Sequence, residues 1–208
     1  RFKAYNLPLQ NIIGEKRDLS WGIVPRNKEQ SFALDMLMNE DIPIVSMIGA
    51  AGCGKTLLAI AAGLDQVLDK NIYNKLVVSR PVQPLGKDIG FLPGTLEEKM
   101  GPWLMPVQDN LEFLMGDRKD TMALMMEQGT IEIEALTYIR GRSISNAFVI
   151  IDEAQNLTVH ELKTIVTRIG ENSKIILTGD IEQIDNTYID ATSNGLSYAI
   201  EKFKEYEI

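Results

Sequence analysis

The sequence predicts an α/β fold built on a doubly wound parallel sheet, and three observations carry that prediction. A glycine-rich loop, Gly49-Ala-Ala-Gly-Cys-Gly-Lys55-Thr56, lies between a β-like run and a helix-like run. Short apolar, β-branched runs recur at Lys75–Ser79, Ala147–Ile151 and Lys174–Thr178, as expected of strands buried on both faces. Stretches of helical periodicity separate them, for example Val159 to Gly170, which gives the strand–helix alternation of a parallel sheet.

Taken in order, residues 1–24 read as an N-terminal extension or linker and residues 25–208 as one domain. A chain of 208 residues suits one α/β domain and would cramp two. The start at Arg1 and the charged helical end at Ala199–Glu207 read as a segment of something longer. The first helix is expected over Pro25–Met38, with Asn27 as N-cap and Gln30 at the third helical position of a capping box. Phe32, Leu34, Leu37 and Met38 form its apolar stripe.

The run Ile42–Ile48 then enters the glycine loop as a strand, and Leu57–Leu68 leaves it as a helix. Glycines let successive backbone N–H groups turn inward, and the helix brings its positive N-terminal end to the same spot. This is a P-loop, the cradle for the phosphates of a nucleoside triphosphate. The backbone of Gly49, Ala50, Ala51, Gly52, Cys53 and Gly54 surrounds the phosphates, Lys55 reaches the β and γ phosphates, and the Thr56 hydroxyl ligates Mg2+. Ile131–Ala135 is a further strand. Residues 81–128 break the alternation, with Pro81, Pro84, Pro93, Pro102 and Pro106 ahead of the helix-like Val107–Met115 and Thr121–Glu127. A helical insertion of this length serves a partner or substrate.

The second half of the expected site is Asp152-Glu153, two acids at the end of an apolar strand. Asp152 suits the magnesium, and Glu153 suits orienting and polarising the water that attacks the γ-phosphate. A P-loop alone does not choose the phosphoryl acceptor, but an adjacent Asp-Glu pair favours water over a kinase substrate. Thr178, Asp180 and Gln183 follow the next strand, at the edge where ligands bind in such sheets, as a γ-phosphate sensor or a plain turn. Arg80, Arg140 and Arg142 are candidates for phosphate contacts, as an arginine finger to a neighbouring subunit's nucleotide or to a nucleic-acid backbone.

Other features bound the function. Net charge is −8, which argues against indiscriminate polyanion binding. The excess is local: residues 143–208 carry five basic and eleven acidic side chains, against nine and ten in residues 70–142, so a basic groove in the middle of the chain remains open. The lone Cys53 excludes an internal disulfide, and no run approaches the about 18 apolar residues of a membrane span, which points to a cytoplasmic protein without a membrane partner. His160, the single histidine, reads as a surface residue beside a second capping box of Thr158 and Glu161, which excludes a His-based zinc site. Phe91, Trp103, Tyr138 and the Met-rich 115–126 stretch are read as core, with base stacking or helix docking as the other use.

With these motifs assembled, the chain resembles the ATPase domain of the PhoH-like P-loop proteins, related to the nucleotide-binding half of superfamily 1 helicases. The resemblance rests on Pro25-Arg-Asn-Lys-Glu-Gln30, the P-loop, Ser79-Arg-Pro-Val82, Gly90-Phe-Leu-Pro-Gly94, Tyr138-Ile-Arg-Gly-Arg142, Asp152-Glu-Ala-Gln-Asn156 and Thr178-Gly-Asp180 with Gln183. It implies a RecA-like sheet, Mg2+-dependent ATP hydrolysis, Gln30 reading the adenine, Gln183 facing the γ-phosphate, and assembly into a homo-oligomeric ring such as a hexamer. Trp21-Gly-Ile-Val-Pro-Arg-Asn27 and Asp190-Ala-Thr-Ser-Asn-Gly-Leu196 are similar to the branch in which a PIN ribonuclease domain precedes the ATPase. That branch implies ATP-dependent unwinding of single-stranded RNA substrates coupled to cleavage. The second motor lobe of superfamily 1 helicases is absent from this sequence, so the resemblance implies an arginine finger supplied in trans. The alternative reading is an ATP-dependent regulatory or scaffold ring without helicase activity.

Overall fold

The computed structural model describes residues 21–81, 96–139 and 141–203. Arg140, Phe91 and the Gly90–Gly94 motif lie outside the described residues. The strands are β1 (Ile44–Ile48), β2 (Lys75–Arg80), β3 (Ile131–Ala135), β4 (Ala147–Ile151) and β5 (Lys174–Gly179). They pair in parallel throughout, in the order β1-β5-β4-β2-β3. The helices are α1 (Lys28–Met38), α2 (Lys55–Leu64), α3 (Leu96–Met115), α4 (Lys119–Glu127), α5 (Leu136–Ile139), α6 (Val159–Val166) and α7 (Gly195–Phe203). No described helix is long and apolar enough to cross a membrane.

Side chains alternate across the pleat, so strands covered on both faces feed two cores, whereas β3, at the edge, gives Ile131 and Ile133 to one core and carries Glu132 and Glu134 at the alternate positions. Leu76, Val78, Phe148, Ile150 and Ile176 face one layer with residues of α1 to α4. Val77, Val149, Ile151, Ile175 and Leu177 face the other, with α5 to α7. Helices on both faces make the sheet doubly wound, as the β-branched runs predict. Helix α2 is buried from Leu58 to Leu64, and Gly63 lets it press onto the sheet. A Cβ there would lie 2.7 Å from Leu76 Cδ1 and 2.9 Å from Phe148 Cδ1.

Three local expectations are corrected. Gln30 completes only half of a capping box: its N–H donates to Asn27 Oδ1 (2.8 Å), but its side-chain oxygen accepts from Arg26 N (2.7 Å) rather than from the cap residue. The helix expected over Val159–Gly170 stops at Val166, because Gly170 N–H donates to Ile144 O (2.6 Å) and Ile144 bridges Ile169. Helix α3 runs through Pro102 and Pro106. Pro106 has no N–H to give the carbonyl one turn back, while its own carbonyl accepts from Asn110 Nδ2 (2.7 Å). Of the residues read as core, Met115 is buried and Met122, Met125 and Met126 pack on the first layer, whereas Tyr138 is half exposed. Trp21 is buried in that layer too, with the Arg118 guanidinium 4.2 Å from its ring centroid.

The carboxyl end of α1 leaves its last carbonyls without partners inside the helix. Lys174, fully buried at the start of β5, donates to Met36 O (2.9 Å) and Asn39 O (2.6 Å). Gln66 Nε2 takes Leu37 O (3.1 Å). Burial pushes the Lys174 ammonium down to about 8 from its ordinary 10.5, against a smaller opposing pull from Glu40. Between those values the unfolded chain binds more protons than the folded one, so the Lys174 contribution to stability rises with pH. It is complete above the unfolded value and is lost as pH falls through about 8. Urea denaturation of the wild type and Lys174→Met from pH 7 to 11 checks this. The stability difference between them is expected to move in favour of the wild type from pH 8 upward, and a flat difference would refute it.

Candidate active site

Strand order sets the site. Placing β5 between β1 and β4 separates the P-loop strand from the acidic strand by two inter-strand spacings, roughly 10 Å. The carboxyl ends of these strands and the amino end of α2 therefore come together at one edge of the sheet. Gly49 N–H donates to Gly179 O (3.3 Å), tying the loop's first residue to β5. Gly52 (φ +77°) and Gly54 (φ +88°) take the left-handed conformation that curls the loop before α2 begins at Lys55. Helix α1 braces it from outside, where Gln30 Nε2 donates to Cys53 O (3.0 Å). Opposite, Ala51 N–H donates to Asp180 Oδ2 (3.1 Å).

Inside the curve, Lys55 Nζ donates to Gly49 O (2.6 Å) and Ala50 O (2.9 Å), with Cys53 Sγ at 3.8 Å. The next residue reaches the acidic strand: Thr56 Oγ1 donates to Asp152 Oδ1 (2.7 Å). Thr178 Oγ1, on the intervening strand, donates to the same oxygen (2.6 Å). Asp152 is buried, and its N–H donates to Ser79 O (2.9 Å), which locks it to β2. A hydroxyl and a carboxylate oxygen this close are the hard donors Mg2+ takes from a protein when phosphates and water supply the rest.

Glu153 has φ +54° and ψ +39°. The other described non-glycine residues with positive φ are Asn71, Asn146 and Asn172, a residue type that tolerates this conformation. For glutamate it is strained, and such strain gathers at functional sites. Its Oε1 accepts from Arg80 NH2 (3.2 Å) and its Oε2 from Gln155 Nε2 (2.5 Å). Gln155 is fully buried; its Nε2 also donates to Gln183 O (2.9 Å), and its Oε1 accepts from Asp180 N (3.1 Å). A Cβ on Gly179 would lie 2.5 Å from that Oε1, so the glycine clears its place. Sequence reasoning quoted Gln155 within its motif but gave it no role. A polar residue two positions after the acid pair is the available signal.

The remaining candidates divide by position. Gln183 is exposed, on the loop that Gln155 holds. Arg142 lies on the far side of the sheet, paired with Glu132 and, at 2.5 Å, with Glu134 of β3. Lys75 joins Glu132 at 2.9 Å, and these partners overcome burial to hold the Glu132 carboxyl below its usual range. Strand β3 is four inter-strand spacings from β1, about 19 Å, so Arg142 stands well away from its own P-loop. His160 is exposed in the first turn of α6, beside the complete Thr158–Glu161 capping box.

A P-loop on one parallel strand, a magnesium-type acid on another and the Thr178 hydroxyl from the strand between them define a P-loop ATPase. The chain belongs to the PhoH family: the family model described as PhoH-like protein matches residues 22–208. It is 60% identical over 186 residues to protein PhoH2 of Bacillus subtilis, covering 88% of this chain and 42% of that protein. To protein PhoH of Escherichia coli it is 39% identical over 194 residues, covering 93% of this chain and 53% of that protein. The chain thus spans about half the length of these relatives. Among solved structures, the SWI2/SNF2 ATPase core of Sulfolobus solfataricus in complex with dsDNA aligns with a TM-score of 0.51 at 18% identity, over 79% of this chain and 33% of that one. That likeness shows a shared α/β fold. Family membership supports ATP binding and hydrolysis.

Proposed function

We propose that this chain is the Mg2+-dependent ATPase motor of an oligomeric, cytoplasmic protein acting on single-stranded RNA. The observation that carries the reading is the continuous line Lys55–Thr56–Asp152–Thr178, with Glu153 beside it. Lys55 would meet the β and γ phosphates, and Gln30, anchored to the loop at Cys53, would read the adenine. Thr56 and Asp152 would hold Mg2+, which neutralises charge on the transferring phosphoryl group. Glu153 would orient a water for attack on the γ-phosphorus; the bond to the β–γ bridging oxygen breaks, ADP leaves, and the water proton passes to Glu153. Gln183 would report loss of the γ-phosphate through its backbone link to Gln155. The RNA part draws on the resemblance to the helicase half and on the DNA-bound neighbour of the same fold. In this reading a PIN ribonuclease domain of the full-length protein would receive the unwound strand.

Steady-state ATP turnover with Mg2+, with and without poly(U), tests the reading. RNA is expected to raise kcat several-fold, and EDTA to abolish turnover. A second reading, the ATP-assembled scaffold ring, draws on the exposed Met105, Phe113 and Leu124 of α3 and α4. Assembly that follows nucleotide state, with turnover indifferent to RNA, would favour it.

A further inference from the structure

Both oxygens of the Glu153 carboxylate are taken, and the two partners differ in kind. Gln155 is fully buried and fixed at three points, to Glu153, to Gln183 O and to Asp180 N. Arg80 is the last residue of β2, set across from Glu153 by the register that pairs Ser79 with Ile151. Its side chain is 21% exposed, its link to Glu153 is 3.2 Å long, and its second contact, from NH1 to Trp103 O, is 3.5 Å. One partner is an anchor, and the other is loosely held at the rim. Each N–H donor withdraws charge from the oxygen it binds, so a carboxylate held on both oxygens, one of them by a guanidinium, is a weaker proton acceptor and is less free to turn toward a water.

We propose that Arg80 is a releasable latch on Glu153. It pairs with Oε1 in the resting ATPase and lets go when a phosphodiester backbone draws the guanidinium outward. Arginine suits the exchange because its planar fork matches phosphate as well as carboxylate, and a backbone offers several phosphates in place of one carboxylate. Freed Oε1 then takes the water, while Gln155 keeps Oε2 in position, so that occupancy of the RNA site sets the hydrolysis rate. Arg80 acts through Glu153 and is a positioning residue. The inference rests on the proposed function above.

The test is kcat and KM for ATP with Mg2+, with and without poly(U), for wild type, Arg80→Gln, Arg80→Lys and the double variant Arg80→Gln/Glu153→Gln. Arg80→Gln is expected to turn over about 3- to 10-fold faster than wild type without RNA, to gain nothing from RNA, and to keep KM within about twofold. Arg80→Lys, which can still pair with Glu153, is expected to fall between them. The double variant is expected to be inactive, since the latch works only through Glu153. If RNA stimulates the wild type and neither Arg80 variant runs faster without RNA, the latch is overturned and the RNA reading stands. If RNA leaves the wild type unchanged while Arg80→Gln still runs faster, the RNA reading falls and the latch on Glu153 stands.

Discussion

Glu153→Gln is expected to lower kcat for ATP by about 10²- to 10³-fold while leaving KM within a few-fold, the loss typical of removing a positioned general base. The amide keeps the size and reach of the carboxylate but cannot take a proton from water. Its effect on binding is small because Glu153 touches none of the P-loop groups; those are held by Asp152 and Asp180. One local cost accompanies the change. Gln155 Nε2 donates to Glu153 Oε2, and an amide at 153 meets either that donor or Arg80 with its own N–H₂. One hydrogen bond is therefore lost, about 1 kcal/mol, too little to unfold the domain. Single-turnover hydrolysis beside nucleotide binding separates the outcomes. Turnover within about tenfold of wild type would remove Glu153 from the role of base.

The buried strands are legible in the sequence because a strand covered on both faces must be apolar throughout. Ala147–Ile151 agrees with the structure to the residue, and so does Ile131–Ala135, an edge strand that instead alternates apolar residues with Glu132 and Glu134. The meeting of the P-loop with Asp152 is legible because a glycine-rich loop after one strand and an acid after another bring Thr56 and Asp152 to the same edge of a parallel sheet. Features made by tertiary contact are not. The Arg80–Glu153 pair joins residues 73 positions apart, and no local pattern marks one as the partner of the other. Lys174 opens an apolar run and reads as a strand flank, yet it is buried because the last turn of α1, far away in sequence, needs donors. Helix α3 runs on through prolines that a local rule would place at its start or end, since packing outweighs the lost hydrogen bonds. The early stop of α6 likewise depends on a backbone contact with residue 144.

Lys55→Ala is expected to abolish ATP-dependent stabilisation and to reduce hydrolysis by at least about 100-fold, the equivalent of one or two charge-assisted hydrogen bonds at 1.5–3 kcal/mol each. Two causes act together. The ammonium proposed to meet the β and γ phosphates is gone, and so is the donor that the loop's own carbonyls at Gly49 and Ala50 close upon. The second cause makes a sharper forecast than charge alone. If only charge mattered, Lys55→Arg would restore much of the activity. The guanidinium is a broad planar fork, however, and the curve that accepts Nζ at 2.6 and 2.9 Å is cut to a compact ammonium, so arginine is expected to recover less than a tenth of wild-type turnover. Thermal unfolding with and without Mg-ATP reads binding independently of turnover, because a ligand held only by the folded state raises Tm. The wild type is expected to rise with nucleotide, and neither Lys55 variant is. A normal rise in Lys55→Ala would show that the backbone cradle binds phosphate unaided, and would confine Lys55 to the chemical step.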